Sequence, residues 1–164
     1  MSASEPATGL VPLNVVVEFF NAEEWPIRQV GDQTILQTAF QGQNGAWLCY
    51  ANCRSEFGQM LFYSIAPQRV PEATRPAVAE FLTRANWGLM IGNFELDYGD
   101  GEVRYKTSLQ LENQQLTPDL LRPLVFDNVV VMDKYLPGLE RVMTGQQSPQ
   151  AAIDAIEGKE TPES

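Results

Sequence analysis

Between Asn93 and Leu111 the side chains alternate in character with a period of two. Phe94, Leu96 and Tyr98 alternate with Asn93, Glu95 and Asp97. Then Val103, Tyr105, Thr107, Leu109 and Leu111 alternate with Glu102, Arg104, Lys106, Ser108 and Gln110. Successive side chains of a strand point to opposite faces, so this pattern predicts two strands, each with one apolar and one polar face. Gly99-Asp100-Gly101 joins them. Placing Asp100-Gly101 at the centre of a two-residue turn sets Asp97 opposite Arg104, Glu95 opposite Lys106 and Leu96 opposite Tyr105. Centring the turn on Gly99-Asp100 instead sets Asp97 against Glu102, a like-charge pair, so the first register is the expected one.

Three further strands are expected at Thr34–Gln41, Ala46–Cys53 and Met60–Ile65, with Gly42-Gln43-Asn44-Gly45 as the first hairpin loop and Pro67 as the final stop. The short connections imply antiparallel pairing. Leu13, Val16, Val17 and Phe20 recur at helical spacing ahead of them, although Val15–Val17 is also a β-branched run that suits a strand. Trp25-Pro26 should end that element. A second helix is read from the stripe Ala77, Val78, Phe81, Leu82 and Ala85, with Pro71 or Pro76 in its first turn. Thr117-Pro118-Asp119 is a strong helix start, and the apolar stripe that follows runs to about Gly145. Pro137-Gly138 should kink or break that helix. Ser148-Pro149 opens a segment, Gln150–Ile156, long enough for two helical turns. The fold class is therefore α+β, an antiparallel sheet of about five strands in the order αβββαββα. Residues 1–11 are expected to be a flexible start, 12–145 the domain, and 146–164 a tail with a short helix.

Composition removes several kinds of chemistry. The 164 residues include no histidine, the commonest general base and transition-metal ligand. The two cysteines, Cys49 and Cys53, are four residues apart on one strand, roughly 13 Å, too far to bridge. No ligand spacing for zinc is present, and Asp97–Glu102 lacks the calcium-loop spacing. No metal and no cofactor are expected. Gly88–Gly92 matches neither a phosphate-binding loop nor a dinucleotide fingerprint. The net charge is −10, and the 11 basic residues are scattered along the chain, which argues against nucleic acid and against anionic membranes. No apolar run approaches the roughly 20 residues of a membrane span. Met1 to Thr8 lacks the order of a secretion signal, so the cytoplasm is the expected location.

Four stretches carry a resemblance. They are Asn86-Trp87-Gly88-Leu89, Ile91-Gly92-Asn93-Phe94-Glu95, Asp100-Gly101-Glu102-Val103-Arg104-Tyr105 and Met132-Asp133-Lys134-Tyr135-Leu136-Pro137-Gly138-Leu139. Their order and spacing, over Pro12 to Gly145, resemble the YbjN family, described as bacterial sensory transduction regulators. The resemblance implies a fold like that of type III secretion chaperones, which commonly pair as homodimers and hold segments of other proteins. It supplies no catalytic residues. The expected function is a non-catalytic, protein-binding regulator or chaperone-like protein. The alternative is a small-ligand sensor with a pocket between sheet and helix. The alanine-rich stripe of the second helix (Ala77, Phe81, Leu82, Ala85) is the candidate interface for a second copy, because small side chains let another backbone approach.

Overall fold

The structure, a computed structural model, describes residues 11–32 and 34–158. The expected flexible start lies outside them except for Val11, and the end of the expected tail, 159–164, also lies outside. The helices are α1 (Leu13–Ala22), α2 (Arg75–Gly88), α3 (Pro118–Met143) and α4 (Pro149–Glu157). The strands are β1 (Ile27–Gln29), β2 (Ile35–Gln41), β3 (Ala46–Arg54), β4 (Gln59–Ile65), β5 (Asn93–Leu96) and β6 (Val103–Gln110). They form one six-stranded sheet in the order β1-β2-β3-β4-β6-β5, and every neighbouring pair is antiparallel.

The α+β class, the antiparallel sheet and the order of the main elements are as the sequence predicts. The sheet has six strands rather than five. The added strand, β1, is three residues long, directly after Trp25-Pro26, and too short to show alternation. The Leu13–Phe20 stretch resolves as helix. Val16, Phe19 and Phe20 are its buried side chains, and Phe20 stacks on Phe62 at 6.1 Å.

All helical cover lies on one face of the sheet. Leu36 and Thr38 on β2, Trp47, Cys49, Ala51 and Cys53 on β3, Met60, Phe62 and Ser64 on β4, and Val103, Tyr105 and Thr107 on β6 are buried there. Helix α3 crosses β4 and β6, α1 packs beside α3, α2 sits against β5 and α3, and α4 packs on α2 and α3. Both cysteines point into this layer and are free. Burial pushes the Cys49 thiol up to about 12, over the opposing effect of Ser64 and Trp47, and pushes Cys53 up to about 11. Neither is a thiolate at neutral pH.

Helix α3 runs through Pro123 and Pro137, so of the expected kink or break at Pro137-Gly138 the break does not occur. A proline in a helix leaves the carbonyl four residues earlier without its donor. Here that carbonyl belongs to Asp133, and the Asn44 side-chain amide donates to it at 3.0 Å. The Asp133 carboxylate in turn accepts from the backbone N–H groups of Gln43 (3.0 Å) and Asn44 (2.8 Å). The β2–β3 loop thus replaces the lost helical bond. Gly42 is needed there, because a side chain at that position would collide with Asp133.

The 93–110 hairpin takes the register that charge alone argued against. Glu95 lies opposite Arg104, Phe94 opposite Tyr105 and Leu96 opposite Val103. The expected pairings of Asp97 with Arg104 and Leu96 with Tyr105 do not form. The slip is two residues, so each side chain keeps its predicted face. The like-charge objection disappears because both carboxylates are engaged elsewhere. Asp97 accepts from the N–H of Gly99 at 2.7 Å, and Glu102 pairs with Arg69 at 3.0 Å. Gly101, at φ +80°, closes the loop onto the backbone of Val70, where no side chain fits.

Candidate partner-binding face

The other face of the sheet has no helix over it among the described residues. The strand register lays its side chains out in rows. One row crosses all six strands: Arg28, Gln37, Tyr50, Tyr63, Lys106 and Asn93. The next contains Ala39, Leu48, Ile65, Arg104 and Glu95. On the other side lie Ile35, Asn52, Leu61 and Ser108. Ile35, Leu48, Tyr50, Tyr63 and Ile65 therefore sit together at the centre and line an open trough of about 770 Å³. Leu48 is 45% exposed, high for a leucine in the middle of a sheet.

Charged side chains frame this apolar centre. Glu95 receives an ion pair from Arg104 at 2.6 Å and another from Lys106. Partial burial opposes ionisation of Glu95, but Lys106 and Arg104 outweigh it, so its carboxyl lies below the usual range. The Arg104 guanidinium also lies over the Tyr63 ring at 4.5 Å. Gln37 donates to the Tyr50 hydroxyl at 3.0 Å and accepts from Arg28. The expected Glu95–Lys106 pair thus exists, as a diagonal contact rather than a direct one.

A carboxyl with a depressed pKa adds stability that is present above its unfolded-state pKa and lost as pH falls through the folded one. Glu95→Gln is therefore expected to flatten the acid limb of the stability profile, measured by urea titration between about pH 2 and pH 5. At neutral pH its cost should stay within roughly 1 kcal/mol, because Arg104 is well solvated.

The predicted interface on α2 has a different occupant. Phe81, Leu82 and Ala85 are buried and Ala77 is half-buried, all within the chain itself. Helices α3 and α4 pack on α2, and Phe81 meets Tyr135 of α3. Sequence reasoning named no residue of the open face as a binding site. The available signal was in β3 and β4, where Leu48 and Tyr50 interleave with Cys49 and Ala51, and Leu61, Tyr63 and Ile65 interleave with Phe62 and Ser64. Strands apolar on both faces need cover on both, and the chain has helices for one.

A second exposed apolar feature spans the end of α2 and the turn after it. Trp87 is 91% and Met90 96% exposed, and Ile91 is half-exposed. The backbone there is firmly held. Asn86 bonds both the N–H (2.7 Å) and the carbonyl (3.1 Å) of Phe94, and the Tyr105 hydroxyl donates to the Ile91 carbonyl. No group of three or more cysteine, aspartate or glutamate side chains is placed to hold a metal ion among the described residues, and no described helix is long and apolar enough to cross a membrane.

No curated protein matches the chain. Among solved structures, the crystal structure of YbjN from E. coli is similar in fold, with a TM-score of 0.58 at 11% identity over 85% of this chain and 95% of that one. A chain of the HopA1-SchA chaperone-effector complex gives a TM-score of 0.46 at 12% identity, over 76% and 91%. Residues 12–140 match the model of the YbjN family, "Putative bacterial sensory transduction regulator". The chain belongs to the YbjN family.

Proposed function

We propose that this protein is a non-catalytic regulator in bacterial signal transduction, cytoplasmic and chaperone-like, that works by binding another protein on the open face of its sheet. The observation that carries this reading is the apolar trough of Leu48, Tyr50, Tyr63 and Ile65 on a sheet face without helical cover among the described residues. Tyrosines with exposed aliphatic neighbours are typical of protein-binding surfaces. The sheet edges suit strand addition less well, because β1 and β5 are three and four residues long. A photo-crosslinking amino acid at Leu48, irradiated in the native cells, should yield a discrete protein adduct. The same group at Val130, exposed on α3, should not. Equal adducts from both positions, or none from Leu48, would refute the reading.

The homodimer belongs to the same proposal. Ala85 to Phe94 contains no charged residue, in a chain of net charge −10. Two such chains repel each other least where charge is absent, and that stretch exposes Trp87, Met90 and Ile91 beside β5, the last strand of the sheet among the described residues. Light scattering should give twice the 18.3 kDa chain mass. The double substitution Trp87→Ser, Met90→Ser should return it to the single value with an unchanged melting curve.

The trough volume also lies within the range of small-molecule sites, about 300–1,000 Å³, which favours the ligand-sensor reading as the alternative. Such a site would bury its ligand between layers, whereas this trough is lined mainly by the sheet. A stoichiometric small molecule retained in native mass spectra, and lost on Leu48→Gln, would move the sensor ahead.

A further inference from the structure

The basic residues are scattered in sequence, but the fold sets five of them on one side of the sheet. Arg28, Arg54, Arg104 and Lys106 all project from strands onto the open face, and Arg69 lines the trough from the loop after β4. These are five of the chain's 11 basic residues. Of the nearby carboxylates, Glu95 is held by Arg104 and Lys106, Glu102 and Asp100 are held by Arg69, and Asp97 is turned into its own loop. Arg28 and Arg54 have no carboxylate partner among the described residues. Arg28 bonds Gln37, and Arg54 bonds Gln59 and covers the Phe57 ring. A protein with net charge −10 thus turns an apolar trough outward, with two guanidinium groups on the same face that no described carboxylate pairs.

We propose that the segment received by this face is itself acidic, setting carboxylates beside aromatic or aliphatic side chains. This rests on the protein-binding reading of the trough. The apolar residues would fill the space over Leu48, Tyr50 and Ile65, and the carboxylates would meet Arg28 and Arg54 at its margins. Such pairing selects the partner and speeds its arrival more than it tightens the complex. A second copy is the poorer occupant, because stacking two open faces sets basic groups against basic groups. A nucleic acid strand is also poorer. Its backbone charge is continuous and would extend past this face over the acidic remainder of the molecule, whereas a short acidic segment need touch only the face.

The test uses the full chain and a displayed library of random twelve-residue peptides. Peptides that also bind the double variant Ala39→Gln, Leu48→Gln are removed, since those two exposed neighbours fill the trough without changing charge. The remaining peptides should be enriched in aspartate and glutamate together with aromatic or aliphatic residues. Replacing the acids of a selected peptide with lysine should weaken binding about tenfold or more, the worth of one good ion pair. Selection on Arg28→Glu, Arg54→Glu should enrich lysine and arginine instead. A neutral or basic selection, no trough-dependent peptide at all, or a thymidine dodecanucleotide bound as tightly as the best peptide would each overturn the proposal. A protein adduct at Leu48 without acidic preference would remove this inference and leave the protein-binding reading standing. No adduct at Leu48 would remove both.

Discussion

Phe81→Ala is expected to destabilise the chain by about 3–5 kcal/mol, the cost of emptying a buried aromatic site. Phe81 is fully buried, and its ring meets Tyr135 edge to face at 6.4 Å. Gly138 of α3 lies directly beneath it. A side chain at Gly138 would run into both Phe81 and Ile156, so α2, α3 and α4 meet at one point with no spare volume. For a chain of this length the melting temperature should fall by roughly 10 °C. The measurement also separates two readings of the stripe. If Phe81 served a second copy, its truncation would split an assembly and leave the melting of the single chain nearly intact. A large drop in melting temperature that does not depend on protein concentration identifies it as core.

That ambiguity shows how far the sequence could be read. Helical spacing placed Ala77, Phe81, Leu82 and Ala85 on one face, but spacing cannot say what the face meets. The answer depended on α4, only nine residues long, whose buried Ala152 and Ile153 show no long periodicity. The 93–110 hairpin was legible in its faces but not in its register. Faces follow from period two within the hairpin. The register depended on Arg69, Arg75 and Val70, which lie outside it: Arg75 donates to the Tyr98 carbonyl at 2.9 Å, and Val70 donates to the Gly101 carbonyl at 2.8 Å. The placing of Arg28 and Arg54 on the open face was illegible for the same reason. Arg28, Arg54 and Arg104 are far apart in the chain and are seen to share one face only once the strand order is known.

Several residues of the stretches that carried the resemblance have architectural roles in the structure. Asp133 holds the β2–β3 loop, Pro137 frees the carbonyl that Asn44 caps, and Gly138 admits Phe81 and Ile156. Asn86 brackets Phe94, and Gly92, at φ +76°, passes under Tyr105 and Lys106 where a side chain would not fit. Residues of this kind can define a family while its partners differ, because the fold is set by one layer of contacts and the open face by another.

Asn128→Ala is expected to cost roughly 2–3 kcal/mol, a large effect for a change of so few atoms. Asn128 is fully buried on α3, under the sheet. Its amide nitrogen lies 3.0 Å from the carbonyls of Phe62 on β4 and Tyr105 on β6, and 3.1 Å from the Thr107 hydroxyl. That hydroxyl donates to the Leu124 carbonyl of the same helix at 2.7 Å. One side chain therefore ties α3 to two adjacent strands. Its own carbonyl oxygen has no partner, so the site depends on donation. Asn128→Asp should be worse than alanine at neutral pH, because a buried carboxylate facing two carbonyls has nothing to donate. Burial raises the pKa of such a carboxyl, so its neutral form, which can donate once, gains as pH falls. The excess cost over alanine should shrink toward about pH 4 and grow as pH rises above it. Urea unfolding of both variants from pH 4 to pH 8 checks this. A pH-independent gap, or an aspartate variant as stable as the parent, would show that donation by Asn128 does not hold the helix to the sheet.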